Sequence, residues 1–160
     1  MSATEHDPNC GVCESIHGGD RLPPEICFEN ELWHVRHGGA PYGVPGWMML
    51  ITNRHVPGPW AFSDAEAESL GPTLRHLGKV LLDVTGALRI YTAWMGESWP
   101  HFHAHLVPRL VELPKSATGW GVFDLQRAAG AGEIEVDKAE VARLTASVKH
   151  ALAASPPPGR

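Results

Sequence analysis

The spacing of apolar and polar positions changes period several times along the chain, and each change marks an element. Residues Glu25 to Arg36 read as two short strands around a turn at Glu29-Asn30, and Gly38 to Gly46, with four glycines and two prolines, reads as a loop. Trp47 to Thr52 is a compact apolar run, which predicts a central strand. Ser63 and Glu66 form a capping box, and Leu70, Leu74, Leu77, Val80 and Leu81 then follow helical spacing up to a stop at Gly86. Leu88 to Trp94 alternates like a strand and leads through Met95-Gly96-Glu97 into a second one, so the pair predicts an antiparallel hairpin. Asp137 and Glu140 can cap a C-terminal helix running to about Ala153. No internal repeat is visible, and the succession predicts an α+β fold on one antiparallel sheet, with a long helix between the central strand and the hairpin.

The second hairpin strand carries the chemistry. His101, His103 and His105 alternate with Phe102, Ala104 and Leu106, so on a strand the three imidazoles share one face and the apolar residues the other. Imidazole suits proton transfer, metal ligation and nucleophilic attack near neutral pH, whereas a packed core gains little from three in a row. Residues two apart on a strand lie roughly 6.6 Å from each other and residues four apart roughly 13 Å. One metal ion can therefore take neighbouring histidines but hardly His101 and His105 together, so the strand must divide its labour. His55 stands where the Trp47 to Thr52 strand gives way to a loop, a common place for ligand or catalytic groups. Cys10-Gly11-Val12-Cys13 is open to three readings: metal ligands, unligated thiols, or a redox pair.

Composition narrows the classes. With 160 residues, 43% of them hydrophobic, the chain is expected to form a single domain over residues 10–153, with a flexible N-terminus at 1–9 and a disordered tail at 154–160. A net charge of -5 gives no footprint for nucleic acid or an anionic membrane, and neither is expected as a partner. The polar Met1 to Pro8 stretch lacks a signal core and no segment is long enough to span a bilayer, so a cytoplasmic location is expected, with the three cysteines reduced. Of the six tryptophans, Trp33 and Trp47 are expected in the sheet core and Trp60 packed at the helix entry. Trp94, Trp99 and Trp120 lie near the histidine strand, with Gly119-Trp120-Gly121 a candidate lid. Arg109 just beyond the strand either meets a phosphate or is a solvated strand-end residue.

Gly96 to Val107 resembles the signature of the histidine triad (HIT) superfamily, His-φ-His-φ-His-φ-φ. Cys10-x-x-Cys13, the strand ending in Arg54-His55-Val56 and the intervening long helix fall in the family's order, and the resemblance covers roughly residues 10–112. It implies a HIT-like sheet and a nucleotide or related phosphoester hydrolase or transferase working through a covalent phospho-histidine. His103 would be the nucleophile, with its second ring nitrogen held by an acceptor such as a backbone carbonyl. His105 would contact the phosphate or bridging oxygen, and Ser98 would donate to the phosphate or leaving group. Backbone N–H groups of the Gly96 to Ser98 turn would stabilise developing charge, with Glu97 and Trp120 at the substrate. The zinc-containing branch implies a closed structural zinc site of Cys10, Cys13, His55 and His101, and the family expectation is a homodimer.

The chain also departs from the pattern. Glu97 stands where many members carry glutamine, Gly38 to Ala40 lacks the acid that commonly holds ribose hydroxyls, and Val12 and Ser15 replace larger apolar groups against the base. These departures motivate a competing expectation, a non-catalytic zinc-stabilised module that binds a ligand or protein. A third reading places a catalytic metal on His101-x-His103.

Overall fold

The computed structural model describes residues 6–17 and 26–158. The expected flexible and disordered ends fall partly on 1–5 and 159–160, and the start of the first predicted strand, Glu25, also lies outside the described residues. Five strands, β1 (Ile26–Glu29), β2 (Trp33–His37), β3 (Met48–Thr52), β4 (Ile90–Ala93) and β5 (His103–Pro108), form one sheet in the order β1-β2-β3-β5-β4 with every neighbour antiparallel. The helices are α1 (Gly11–His17), α2 (Asp64–Thr85), α3 (Val122–Gly130) and α4 (Lys138–Ala154). This is the α+β fold expected, with the long helix between the central strand and the histidine hairpin.

Strand alternation sorts the side chains to two faces. Trp33, Val35, Met48, Leu50, Ala104 and Leu106 point to one side and pack with Leu77 and Leu81 of α2 and Val148 and Leu152 of α4. Each such fully buried aliphatic side chain is worth about 1.5–3 kcal/mol, and this layer is the main core. The other side holds Met49, Ile51, His103, His105 and Val107, flanked by α1 over Ile51 and by α3 over Val107.

The predicted start and stop signals of α2 are present. Ser63 Oγ accepts from Glu66 N–H, Glu66 accepts from Ser63 N–H, and Gly86 closes the helix at φ 64°, a left-handed conformation that favours glycine. Glu66 also takes a bidentate pair from Arg54, Nε at 3.1 Å and a terminal nitrogen at 2.6 Å. The chain segment that ends β3 is thereby tied to the head of α2, which sets the approach of the next residue, His55.

Three expectations needed correction. Trp60 is 79% exposed rather than packed at the helix entry, because its short 3-10 turn faces outward. Residues Gly11–His17 and Val122–Gly130 are helices that the spacing did not predict; each is short and takes much of its order from burial against the sheet. Arg109 is turned onto the backbone, donating to the carbonyls of Leu110, Leu113 and Pro114, contacts that neither expectation included. At the other end, the Ser155 carbonyl accepts from His76 of α2 at 2.7 Å. No helix among the described residues is long and apolar enough to cross a membrane.

Candidate active site and metal centre

The triad divides as strand geometry requires, because β5 begins only at His103 and His101 sits in the bend before it. There His101 turns toward α1 and His55. The ligand atoms of Cys10, Cys13, His55 and His101 lie within 4.8 Å of one another, and all four residues are buried. Cys10 Sγ is 3.7 Å and Cys13 Sγ 3.4 Å from His101 Nδ1, and Cys13 Sγ is 3.4 Å from His55 Nδ1. A tetrahedral zinc with ordinary Zn–S and Zn–N bonds sets its sulfur and nitrogen ligands about 3.6 Å apart, so the set fits that ion.

The surroundings aim these ligands. His101 Nε2 donates to the Thr52 carbonyl at 2.8 Å, which leaves the Nδ1 lone pair facing the cluster. His55 Nε2 lies 3.8 Å from the Asp7 carboxylate, a loose form of the same arrangement. Burial pushes the Cys13 thiol up to about 11; the Asp7 N–H, donating to Sγ at 3.5 Å, opposes this and neighbouring Cys10 adds to it. A buried thiol of this kind becomes a thiolate when a metal cation supplies the missing charge. Burial likewise lowers His101 to about 4, with His55 and His103 adding to the effect, so it presents a neutral, ligand-ready ring. A glycine between the cysteines matters here, since a Cβ on Gly11 would come within 3.0 Å of the Trp99 ring, which lies against α1.

Two residues further on, the geometry opens. His103 Nδ1 donates to the His101 carbonyl at 2.6 Å, so the neutral ring keeps its lone pair on Nε2. His105 is set the other way. The Trp47 indole N–H, which can only donate, reaches His105 Nδ1 at 3.1 Å, so the ring proton of neutral His105 sits on Nε2. Burial, reinforced by His103, lowers His105 to about 4 and keeps it neutral at physiological pH. The two rings stand edge to face at 5.2 Å. One imidazole thus offers a lone pair and its neighbour an N–H.

Beside His105 lies a cavity of about 120 Å³ whose wall includes His37, Tyr42, Trp47, Met49 and Gln126. Among the described residues, no carboxylate lines it. His37, unremarkable in the sequence, braces its rim: Nδ1 donates to the Gly38 carbonyl and Nε2 accepts from Gly46 N–H, spanning the β2–β3 loop. Phe123 of α3 touches His105 at 5.8 Å and Trp47 at 5.2 Å, and Trp120, 73% exposed, leans on Phe123 at 6.0 Å. Trp120 is therefore connected to His105 through one ring. Gly96, at φ 74°, turns the loop carrying Glu97 and Ser98, both exposed. The triad imidazoles take their hydrogen bonds from Thr52, His101 and Trp47 rather than from this loop.

Trp47 is the residue the sequence placed correctly and understood least. It is buried in the sheet as expected, yet its polar edge orients His105. Its shared parity with Met49 and Ile51 was visible, but the register that sets it beside His105 was not.

Among solved structures, this fold has many counterparts. A hypothetical histidine triad nucleotide-binding protein from Sulfolobus tokodaii strain 7 superposes with a TM-score of 0.65 at 15% identity, covering 91% of this chain and 93% of that one. A Zn-bound histidine triad family protein from Mycobacterium smegmatis gives 0.63 at 15% identity, over 92% and 98% of the two chains. A Hit-like protein involved in cell-cycle regulation from Bartonella henselae, with an unknown ligand, gives 0.59 at 17% identity over 92% and 98%. No family model and no curated protein matches the chain. The chain has the histidine triad fold. Within that fold it carries a Cys2His2 set able to bind zinc.

Proposed function

We propose that the chain is a HIT-type hydrolase or transferase of nucleotides or related phosphoesters, with His103 as nucleophile. The observation that carries this reading is the opposed tethering of the two imidazoles, His103 Nδ1 on a carbonyl and His105 Nδ1 on an indole N–H. The Nε2 lone pair of His103 attacks phosphorus, and the bond from phosphorus to the leaving oxygen breaks, its electron pair departing with that oxygen. The Nε2–H of His105 donates a hydrogen bond to a phosphoryl or leaving oxygen without itself ionising. Water or a second hydroxyl then displaces Nε2 from phosphorus and loses its proton to solvent, restoring His103. Ser98 and the Gly96 to Ser98 N–H groups close over the phosphate from their exposed loop, with Glu97 at the leaving group and Trp120 as the lid.

Cys10, Cys13, His55 and His101 would hold zinc, which supplies structural cross-linking of α1 to the strand ends. The four are buried and satisfied among themselves, which supports a structural rather than a substrate-facing ion. Cysteines that form no disulfide among the described residues suit the reducing cytoplasm, and the open β4 edge of the sheet, followed by exposed Trp94 and Met95, suits a homodimer.

The test is covalent trapping. After incubation with adenylyl and uridylyl donors, the protein is denatured at alkaline pH, where phosphoramidates survive, and weighed intact. A nucleotidyl adduct mapped to His103, with turnover reduced about 10⁴-fold or more in His103→Ala, is expected. Turnover equal to wild type in that variant overturns the proposal.

A further inference from the structure

Arg36 lies on the triad-bearing face and takes no part in the chemistry above. It pairs with Met49 across β2–β3, and Met49 pairs with His105 across β3–β5. Antiparallel partners project to the same face, so Arg36, Met49 and His105 form one row across the sheet. With neighbouring strands about 4.8 Å apart, the backbones of Arg36 and His105 are separated by about 10 Å. Met49 also lines the cavity beside His105, so Arg36 stands one strand beyond that wall without being part of it.

The charge on Arg36 lacks an answer among the described residues. Its guanidinium is half-buried, and burial lowers its pKa from the ordinary arginine value, yet arginine does not give up its proton in proteins. One terminal nitrogen donates to Ser15 Oγ at 2.9 Å, and that hydroxyl in turn donates to the Val12 carbonyl at 2.7 Å, so the partner is neutral. Its Nε is buried with no acceptor among the described residues. None of their ion pairs involves Arg36 either. Arg54, on the neighbouring strand end, shows the usual solution: both of its bonding nitrogens sit on the buried Glu66 carboxylate. A planar guanidinium fork held in one row with His105 matches a carboxylate or phosphate, which it binds with two parallel bonds.

We propose that Arg36, with Ser15, is an anion subsite, so that the preferred substrate is a phosphoester bearing a second anionic group, carboxylate or phosphate, at its far end. This rests on the reading of His103 as the site of phosphoryl attack: one end of the molecule meets His103 and His105, the other Arg36. It is a specificity device, since the guanidinium is held by Ser15 rather than by either reacting imidazole. It also gives a physical reason for Ser15, a small polar residue at this point of α1, where it orients the guanidinium instead of covering it.

The test uses the full-length zinc-loaded protein and calorimetric titration with three probes of matched chain length: alkyl monophosphates, alkanediol bisphosphates, and phosphonooxy carboxylates. At least one doubly anionic series should bind about tenfold or more tightly than the monophosphate, the gain expected of a charge-assisted bidentate contact. Which series gains identifies the far group as phosphate or carboxylate. In Arg36→Gln its affinity should fall to the monophosphate level, and Arg36→Lys should recover part of the difference. Equal affinity of all three probes for the wild-type protein overturns the proposal without recourse to any variant. So does a preference that survives in a folded Arg36→Gln protein. Repeating the titration with His103→Ala separates the two readings: discrimination that persists there, with no covalent adduct in the wild type, retains the anion subsite and rejects the nucleophile.

Discussion

The two ends of the His101 to His105 run set the same side chain in opposite surroundings, and the difference lies in what the second ring nitrogen touches. At the His101 end every donor turns inward. His101 Nε2 is spent on the Thr52 carbonyl, His55 Nε2 faces Asp7, and four buried ligand atoms converge on one point. At the His105 end the tethered nitrogens are both Nδ1, which leaves the Nε2 atoms free of those tethers, His103 with a lone pair and His105 with a proton. A closed ligand set stabilises, whereas an open pair of complementary nitrogens is available to a substrate. Identity of residue type says little here; the partner of the far nitrogen decides the task.

The sharpest way to break this contrast is to open the closed end. Cys13→Ser, or removal of metal by a chelator, should cost about 4–5 kcal/mol, a fall in Tm of roughly 10–20 °C, while His103→Ala melts within a few degrees of wild type. Differential scanning calorimetry with parallel elemental analysis checks this. Wild-type Tm together with wild-type zinc content in Cys13→Ser would count against a structural centre.

A smaller effect reads the open end by pH. An unfolded histidine titrates near 6.5 and folded His105 near 4, so between these values the unfolded chain binds more protons and stability falls as pH is lowered. The loss is complete only below about 4 and amounts to up to about 3 kcal/mol, and His105→Gln should flatten that part of the stability curve. Denaturant midpoints measured across pH 4–7 report it, and superimposable curves for the two proteins contradict the buried neutral imidazole.

The smallest change sharpens the open end alone. Trp47→Phe keeps a ring against Phe123 and deletes the N–H that His105 accepts. Catalytic turnover should fall about 10- to 100-fold with KM changing less, and the ¹⁵N shifts of His105 should show loss of the single Nε2–H tautomer. An unaltered His105 spectrum removes Trp47 as its positioning residue.

How much of this was legible depended on whether the controlling interaction was local. The capping box at Ser63 and Glu66, the Gly86 stop and the alternation around His103 are set by neighbours within a few residues, and each stands where the pattern placed it. The short helices Gly11–His17 and Val122–Gly130 were not legible, because helices of seven and nine residues take little stability from their own sequence. Trp60 was misread because an apolar side chain at a helix entrance carries no mark of the direction its turn will face. Arg36 shows the same limit from the polar side: a lone arginine in a strand is ordinary until its burial and its neighbours are known.

By itself the sequence determined the α+β succession and the common face of His103 and His105. These follow from periodicity and residue chemistry, which are properties of short stretches. Only the tertiary structure decided that His101 leaves its neighbours for the cysteines, that Trp47 rather than a loop residue orients His105, and that Arg36 shares a row with His105. Each of these depends on strand register or on contacts between segments 13 to 91 residues apart, and hydropathy within a window fixes which face a residue takes but not which residue of another strand it meets.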